Sequence, residues 1–125
     1  MENRSKIMVV EDNDFVRMQI VKFLESESYD VIECTDGSQA LETINGSIDM
    51  AIVDIRMEPI DGFEFIRSIR GDEIDTPVVL VTGDHNPDLL NEANKWGVAA
   101  VLMKPVQKDR LLMTVSRTLK AAKRA

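Results

Sequence analysis

The fold of this chain is decided by the stretch Ala51-Ile52-Val53-Asp54-Ile55-Arg56-Met57, in which an apolar run leads directly into an acid. Together with Met50, the run predicts a strand that is buried on both faces, as in the middle of a parallel sheet. Asp54 then lies where this strand leaves the sheet. Ligands of open α/β sheets bind at that carboxyl edge, so Asp54 could be a metal ligand, a nucleophile or a cap for the next helix.

Four further apolar runs precede and follow this strand, and amphipathic segments separate them. They predict strands over residues 6–10, 29–34, 76–83 and 98–103. The segments between them have helical periodicity, and Gly46, Gly71 and Gly97 are predicted to end three of the helices. This alternation predicts an α/β fold of the (βα)5 type, a doubly wound parallel five-stranded sheet with helices on both faces. The strand order expected for so compact a chain is 2-1-3-4-5.

Composition limits the classes of protein that the chain can belong to. With 125 residues and no linker-like segment, we expect residues 1–125 to form a single domain without an output domain. The net charge of −7 argues against direct nucleic-acid binding. No apolar run approaches the roughly 20 residues that span a bilayer. The apolar run that follows the N-terminal residues 1–6 is too short to be the core of a signal peptide. The single cysteine, Cys34, is expected to be a buried apolar residue in a cytoplasmic protein.

Polar side chains follow four of the five predicted strands, all at the same edge of the sheet. Glu11 and Asp12 follow the first strand, Asp54 the third, Thr82 ends the fourth and Lys104 follows the fifth. Three neighbouring carboxylates repel each other unless a cation offsets the repulsion, and a set of oxygen ligands without His or Cys favours Mg²⁺. A lysine and a hydroxyl group can bind phosphoryl oxygens. Together these residue types indicate a phosphoryl-transfer site with an aspartyl-phosphate intermediate.

Five motifs give the chain a specific resemblance to a known family over essentially its whole length. They are Val9-Val10-Glu11-Asp12-Asn13, Asp54-Ile55-Arg56-Met57, Asp61-Gly62-Phe63-Glu64-Phe65-Ile66, Val81-Thr82-Gly83 and Lys104-Pro105. In these motifs the chain resembles the response-regulator receiver domains of bacterial two-component signalling. That resemblance implies the flavodoxin-like fold with the strand order already inferred.

The resemblance also implies a role for each site residue. Asp54 would be the phosphoacceptor, and Mg²⁺, or Mn²⁺ in its place, would be held by Glu11, Asp12, Asp54 and the backbone carbonyl of Arg56. Thr82 and Lys104 would bind the phosphoryl group, and the peptide before Pro105 would be cis. The donor would be a phosphohistidine on a sensor histidine kinase or a histidine phosphotransfer protein. The domain would catalyse its own phosphorylation and dephosphorylation and would signal to a target or output domain, or relay the group.

Three positions depart from the pattern of the family. In Met57-Glu58-Pro59 the proline comes one place later than in the usual Met-Pro, which affects the shape of this loop. Val101 stands where the family usually has Tyr or Phe, a ring that moves inward when the signal is passed on. Valine has no ring and is nearly fixed in one rotamer, so we do not expect the usual movement. Trp96, where a small residue is common, either fills the core or is an exposed contact for a partner.

Three other classes of protein are compatible with parts of this pattern. An aspartate-nucleophile phosphohydrolase of the haloacid-dehalogenase kind would carry its nucleophile after the first strand, in an Asp-x-Asp pattern. A flavodoxin-like FMN carrier would need a loop that accepts phosphate, and the acids at 11, 12 and 14 would repel it. A phosphorylation-independent pseudo-receiver would not need all five site residues.

Overall fold

The computed structural model describes residues 4–124, and the ends of the predicted domain, residues 1–3 and 125, lie outside this range. The elements are β1 (Lys6–Val10), α1 (Asp14–Glu25), β2 (Asp30–Cys34), α2 (Gly37–Thr43), β3 (Met50–Asp54), α3 (Gly62–Gly71), β4 (Val78–Thr82), α4 (Pro87–Lys95), β5 (Ala100–Met103) and α5 (Lys108–Arg124). The strands form one parallel sheet in the order β2-β1-β3-β4-β5. The predicted fold class and strand order are therefore confirmed.

Two apolar layers cover the two faces of the sheet. One layer joins α1 and α5 to alternate strand residues, and its helical members include Ile20, Leu24, Leu111 and Val115. The other joins α2, α3 and α4 to the remaining strand residues, and its helical members include Ala40, Phe65, Ile66, Ile69 and Ala93. This arrangement follows from successive strand residues pointing to opposite faces.

The central strand β3 is buried along its whole length, from Met50 to Asp54. It pairs with β1 on one side and β4 on the other, which explains why its sequence is apolar on both faces rather than alternating. Asp54 is 5 % exposed although it is an acid. Burying an acid at the end of the central strand costs free energy unless other groups offset its charge.

Several predicted boundaries differ from the structure. Gly46 does not end α2, since the helix ends at Thr43 and Ile44 is already extended, with ψ of 136°. Strands β4 and β5 cover residues 78–82 and 100–103, so both are shorter than the segments predicted over 76–83 and 98–103. Val106 is buried in the segment between β5 and α5. Gly97 does follow the end of α4, with φ of +65°.

Two expectations drawn from single residues can also be compared with the structure. Cys34 is buried at the end of β2, as predicted. Trp96 is half-buried against the layer formed by α2, α3 and α4, and its indole Nε1 donates a hydrogen bond to Glu92 Oε1 at 3.2 Å. Its role in filling the core is thus confirmed. Within residues 4–124, no helix combines the length and the apolar character that crossing a membrane requires.

Candidate functional site

The polar residues predicted to share one edge of the sheet do meet there. An open cleft lies at the carboxyl ends of β1, β3, β4 and β5, and all of the predicted site residues line it. The lining residues are Glu11, Asp12, Asn13, Asp54, Arg56, Thr82, Gly83, Asp84, His85 and Lys104. The sheet places them together because they end or follow four parallel strands whose carboxyl ends meet at one edge.

Three carboxylates form a compact cluster at the base of this cleft. One ligand oxygen from each of Glu11, Asp12 and Asp54 lies within 4.8 Å of the other two. Glu11 and Asp54 are buried, whereas Asp12 is exposed at the rim. Such a group of oxygens has the chemistry of a hard-cation site.

Lys104 offsets part of the negative charge of this cluster. Its Nζ lies 3.0 Å from Glu11 Oε1 and 3.4 Å from Asp54 Oδ1. The contact with Glu11 is an ion pair, and beyond it the buried Oε1 atom has no hydrogen-bond partner among residues 4–124. The other carboxylate oxygen of Glu11, Oε2, accepts a hydrogen bond from the backbone N–H of Asn13 at 3.2 Å. One oxygen of Glu11 therefore keeps coordination capacity that residues 4–124 do not use.

Burial dominates the ionisation of Glu11. Loss of hydration raises the pKa of this carboxyl to about 7, and the nearby charge of Asp54 adds to the rise. The Lys104 ammonium and the Asn13 N–H oppose it. Burial lowers the pKa of Lys104, but its contacts with Glu11 and Asp54 outweigh this effect, so that the pKa is raised overall.

Thr82 ends β4 with its hydroxyl tied to the loop that follows. The backbone N–H of Asp84 donates to Thr82 Oγ1 at 3.0 Å, which leaves the hydroxyl proton available to another acceptor. The Asp84 carboxylate accepts from the backbone N–H of Asn86 at 2.9 Å, and Asn86 caps α4. The loop after Thr82 is thus fixed by local hydrogen bonds.

An ion pair bridges two loops at the mouth of the cleft. The guanidinium of Arg56, on the loop after β3, pairs with the carboxylate of Asp84, on the loop after β4. This hydrogen bond to Arg56 is the main cause that lowers the pKa of Asp84, with a contribution from the Asn86 N–H. That these two residues pair could not be predicted from sequence, because they are 28 residues apart.

The start of α3 packs directly behind Asp54. A Cβ atom added at Gly62 would lie 2.8 Å from the Asp54 carbonyl oxygen and 3.0 Å from Ile55 Cα. Asp61 caps the helix through a reciprocal capping box with Glu64. Gly62 therefore allows the close approach that positions the Asp54 backbone, a role that the Asp-Gly pair in the sequence suggested only through its motif.

Comparison with known proteins identifies the architecture. The family model for the response regulator receiver domain matches residues 7–116. The chain belongs to the response regulator receiver domain family. The predicted resemblance is thereby confirmed, and the cis peptide between Lys104 and Pro105, expected for the family, is present in this receiver domain. A second cis peptide, between Glu58 and Pro59, lies in the loop where the proline is displaced.

Curated relatives carry the receiver domain in different settings. This chain is 33 % identical to the CAI-1 autoinducer sensor kinase/phosphatase CqsS of Vibrio cholerae. The match covers 89 % of this chain but only 17 % of that protein. The chain is 28 % identical to the chemotaxis protein CheY of Bacillus subtilis and spans 97 % of it. Among solved structures, a response regulator receiver protein from Pseudomonas putida is similar with a TM-score of 0.85 and 29 % identity, over 94 % of this chain and 99 % of that one.

Proposed function

We propose that this receiver domain accepts a phosphoryl group on Asp54 in a Mg²⁺-dependent reaction. One observation carries the proposal: the Lys104 ammonium lies between two buried carboxylates, those of Glu11 and Asp54, beside the exposed carboxylate of Asp12. A nucleophile, a cation for a phosphoryl oxygen and an oxygen cluster for a metal are thus in one cleft. These are the parts that phosphoryl transfer requires.

The transfer is a displacement at phosphorus. An Asp54 carboxylate oxygen attacks the phosphorus of the donor, the new O–P bond forms, and the N–P bond to the donor imidazole breaks. The imidazole leaves with the electron pair of that bond and takes up a proton from water. In this reaction Lys104 compensates charge on one phosphoryl oxygen and the Thr82 hydroxyl donates to another, while the lining of the cleft orients the donor.

The donor set fits a magnesium ion. Glu11, Asp12 and Asp54, with the backbone carbonyl of Arg56, supply oxygen ligands only, and the buried Glu11 Oε1 atom lacks a hydrogen-bond donor among the described residues. Oxygen ligands of this number suit Mg²⁺, which retains several waters, and Mn²⁺ can replace it. When bound, the metal would supply charge compensation for the phosphoryl oxygens.

The proposal includes the partners and the setting. The phosphoryl donor is a sensor histidine kinase or a histidine phosphotransfer protein, and the phosphorylated domain acts on a target protein or output domain or passes the group on. The chain is similar to a small part of the sensor kinase/phosphatase CqsS and to nearly the whole of the chemotaxis protein CheY. These similarities support equally a receiver domain within a longer protein and one that acts alone. Residues 1–125 act as one receiver domain in the cytoplasm, without direct contact to nucleic acid or membrane.

The test is the labelling of purified protein by acetyl phosphate with and without Mg²⁺. Intact-mass spectrometry is expected to show one added phosphoryl group per chain only when Mg²⁺ is present, and none in Asp54→Asn. The control variant Asp49→Asn removes the same charge at the opposite edge of the sheet. It is expected to label like the parent, because the Asp49 carboxylate accepts from the Lys6 N–H at the start of β3, away from the cleft. Labelling that persists undiminished in Asp54→Asn would move the acceptor to another residue. No labelling of the folded parent under any condition would favour a phosphorylation-independent interaction module.

A further inference from the structure

The side chain of Arg17 folds back from α1 toward the acidic cluster. Its Nη1 donates a hydrogen bond to the backbone carbonyl of Glu11 at 2.7 Å. The side chain is only 13 % exposed, which is unusual for an arginine near a helix N-terminus. A hydrogen bond from a cation to a carbonyl is among the stronger ones in proteins.

Two carboxylates hold the guanidinium in this place. Nη2 pairs with Asp14 Oδ1 at 2.6 Å, one turn earlier in α1, and Nε pairs with Glu33 Oε1 at 3.2 Å on β2. The hydrogen bond to Asp14 is the main cause that raises the pKa of Arg17. Because its three contacts belong to different segments, the planar guanidinium is fixed relative to both the helix and the sheet.

The peptide group between Glu11 and Asp12 is therefore held from outside the cleft. The preceding peptide, between Val10 and Glu11, is held as well, because the Glu11 N–H donates to the Cys34 carbonyl at 3.1 Å and continues the pairing of β1 with β2 by one residue. The Glu11 carbonyl accepts from Arg17. Rotation of this carbonyl would turn the peptide plane and displace Asp12. The Asp12 side chain is exposed, so burial does not hold it in place.

We propose that Arg17 is a positioning residue that fixes the Glu11–Asp12 peptide and thereby sets the spacing of the two acids for a divalent cation. The inference rests on the proposed function, since it assumes that these acids bind the metal. Groups that orient metal ligands from outside the coordination shell typically change the affinity for the metal when they are removed. Arg17 differs from such groups in acting on the backbone that joins two ligands.

The sign of the effect separates positioning from electrostatics. Removing a cation near an acidic cluster would, by charge alone, make the cluster more negative and strengthen Mg²⁺ binding. Loss of positioning would weaken it. Loss of a merely structural contact would lower the melting temperature and leave the affinity of the folded protein unchanged.

The experiment is a Mg²⁺ titration followed by NMR of the backbone amides of Asn13 and Gly83, both in the cleft. Arg17→Met keeps most of the aliphatic stem and is expected to raise the Kd for Mg²⁺ roughly five- to tenfold, toward the lower end of the usual range for outer groups. Arg17→Lys keeps the charge but loses the planar guanidinium with its several N–H donors. It is expected to raise the Kd for Mg²⁺ by a smaller factor, roughly threefold. In Glu33→Gln the amide oxygen still accepts from Nε, and the Kd should stay within about twofold of the parent.

Melting curves of each variant show whether it is folded under the titration conditions. If Arg17→Met does not fold, Arg17→Lys carries the test with the same expected sign. A Kd equal to or lower than that of the parent in the folded Arg17 variant would overturn the inference while leaving the proposed metal site intact. A parent protein whose amides do not respond to Mg²⁺ would overturn both.

Discussion

The Lys104 ammonium lies 3.0 Å from the Oε1 atom of Glu11, a carboxylate that is only 1 % exposed. The two residues come from opposite ends of the chain, and the parallel order β2-β1-β3-β4-β5 brings both strand ends to one edge. The contact compensates part of a costly burial but leaves the acid short of a hydrogen-bond donor. Burial shifts this carboxyl toward its neutral form despite the contact, which makes the metal-free site sensitive to pH.

The first prediction concerns stability and pH in the metal-free protein. The folded-state pKa of Glu11, about 7, is above its ordinary value of 4.5. Between these two values the folded protein keeps a proton that the unfolded chain has lost, so the free energy of unfolding falls as the pH rises. The slope is at most about 1.4 kcal/mol per pH unit for one proton.

Denaturant titrations from pH 4 to pH 8 in the presence of EDTA measure this dependence. Glu11→Gln should have a flatter profile across the same window, because its side chain does not ionise. Parallel profiles for the two proteins would show that folding does not raise the pKa of Glu11.

The second prediction concerns the stabilising effect of Mg²⁺. A ligand that binds only the folded state stabilises it by mass action, by about 1.4 kcal/mol at ten times its Kd. Asp12→Asn should remove most of this gain, and in the absence of metal it should be as stable as the parent or more stable, because one repulsion is relieved. Asp49→Asn serves as the control with an equal loss of charge. Equal Mg²⁺-induced shifts in the melting temperatures of Asp12→Asn and the parent would contradict the assignment of Asp12 to the metal.

The third prediction concerns the lifetime of the phosphoryl group. The pair between Arg56 and Asp84 bridges the loops on either side of the cleft mouth, where water must enter to hydrolyse the aspartyl phosphate. Arg56→Ala opens this side and should accelerate dephosphorylation roughly three- to tenfold, a change in barrier of about 0.7 to 1.4 kcal/mol. Arg67→Ala, an arginine on α3 that pairs with Glu92 instead, should leave the rate unchanged. An unaltered rate in Arg56→Ala would mean that the pair does not restrict access of water.

The fourth prediction concerns the route by which the signal leaves the site. Val101 is half-buried against the layer of α2, α3 and α4, and a short β-branched side chain has no second position to occupy. Val101→Ala should keep the ratio of partner affinities with and without beryllofluoride within roughly threefold of the parent, a coupling change of about 0.7 kcal/mol or less. A collapse of that ratio in a folded variant would assign the switch to residue 101.

The fold could be predicted from sequence because its signals are local. The apolar run at 50–53 and the similar runs before and after it predict the strands, and the expected strand order places Glu11, Asp54 and Lys104 at one edge of the sheet. The prediction that Gly46 ends α2 was wrong. A glycine after a helical pattern is typical of a helix end, but this helix ends at Thr43 and the backbone is extended from Ile44.

The features that sequence could not supply depend on contacts between distant segments. The pairing of Arg56 with Asp84, the burial of Arg17 and the approach of Gly62 to Asp54 follow from how loops fold over the sheet. Only Gly62 carried a signal, as part of a motif. The Arg17 contacts extend over one turn of α1 and across to β2, and neither helical periodicity nor strand alternation predicts where an arginine side chain folds back.

The most direct test of the central claim is to locate the phosphoryl group after acetyl phosphate treatment in the presence of Mg²⁺. Borohydride reduction converts an aspartyl phosphate to homoserine, and peptide mass spectrometry then identifies the residue. The account predicts conversion at Asp54 alone, with no conversion when Mg²⁺ is withheld. Conversion at another acid while Asp54 stays intact would contradict it.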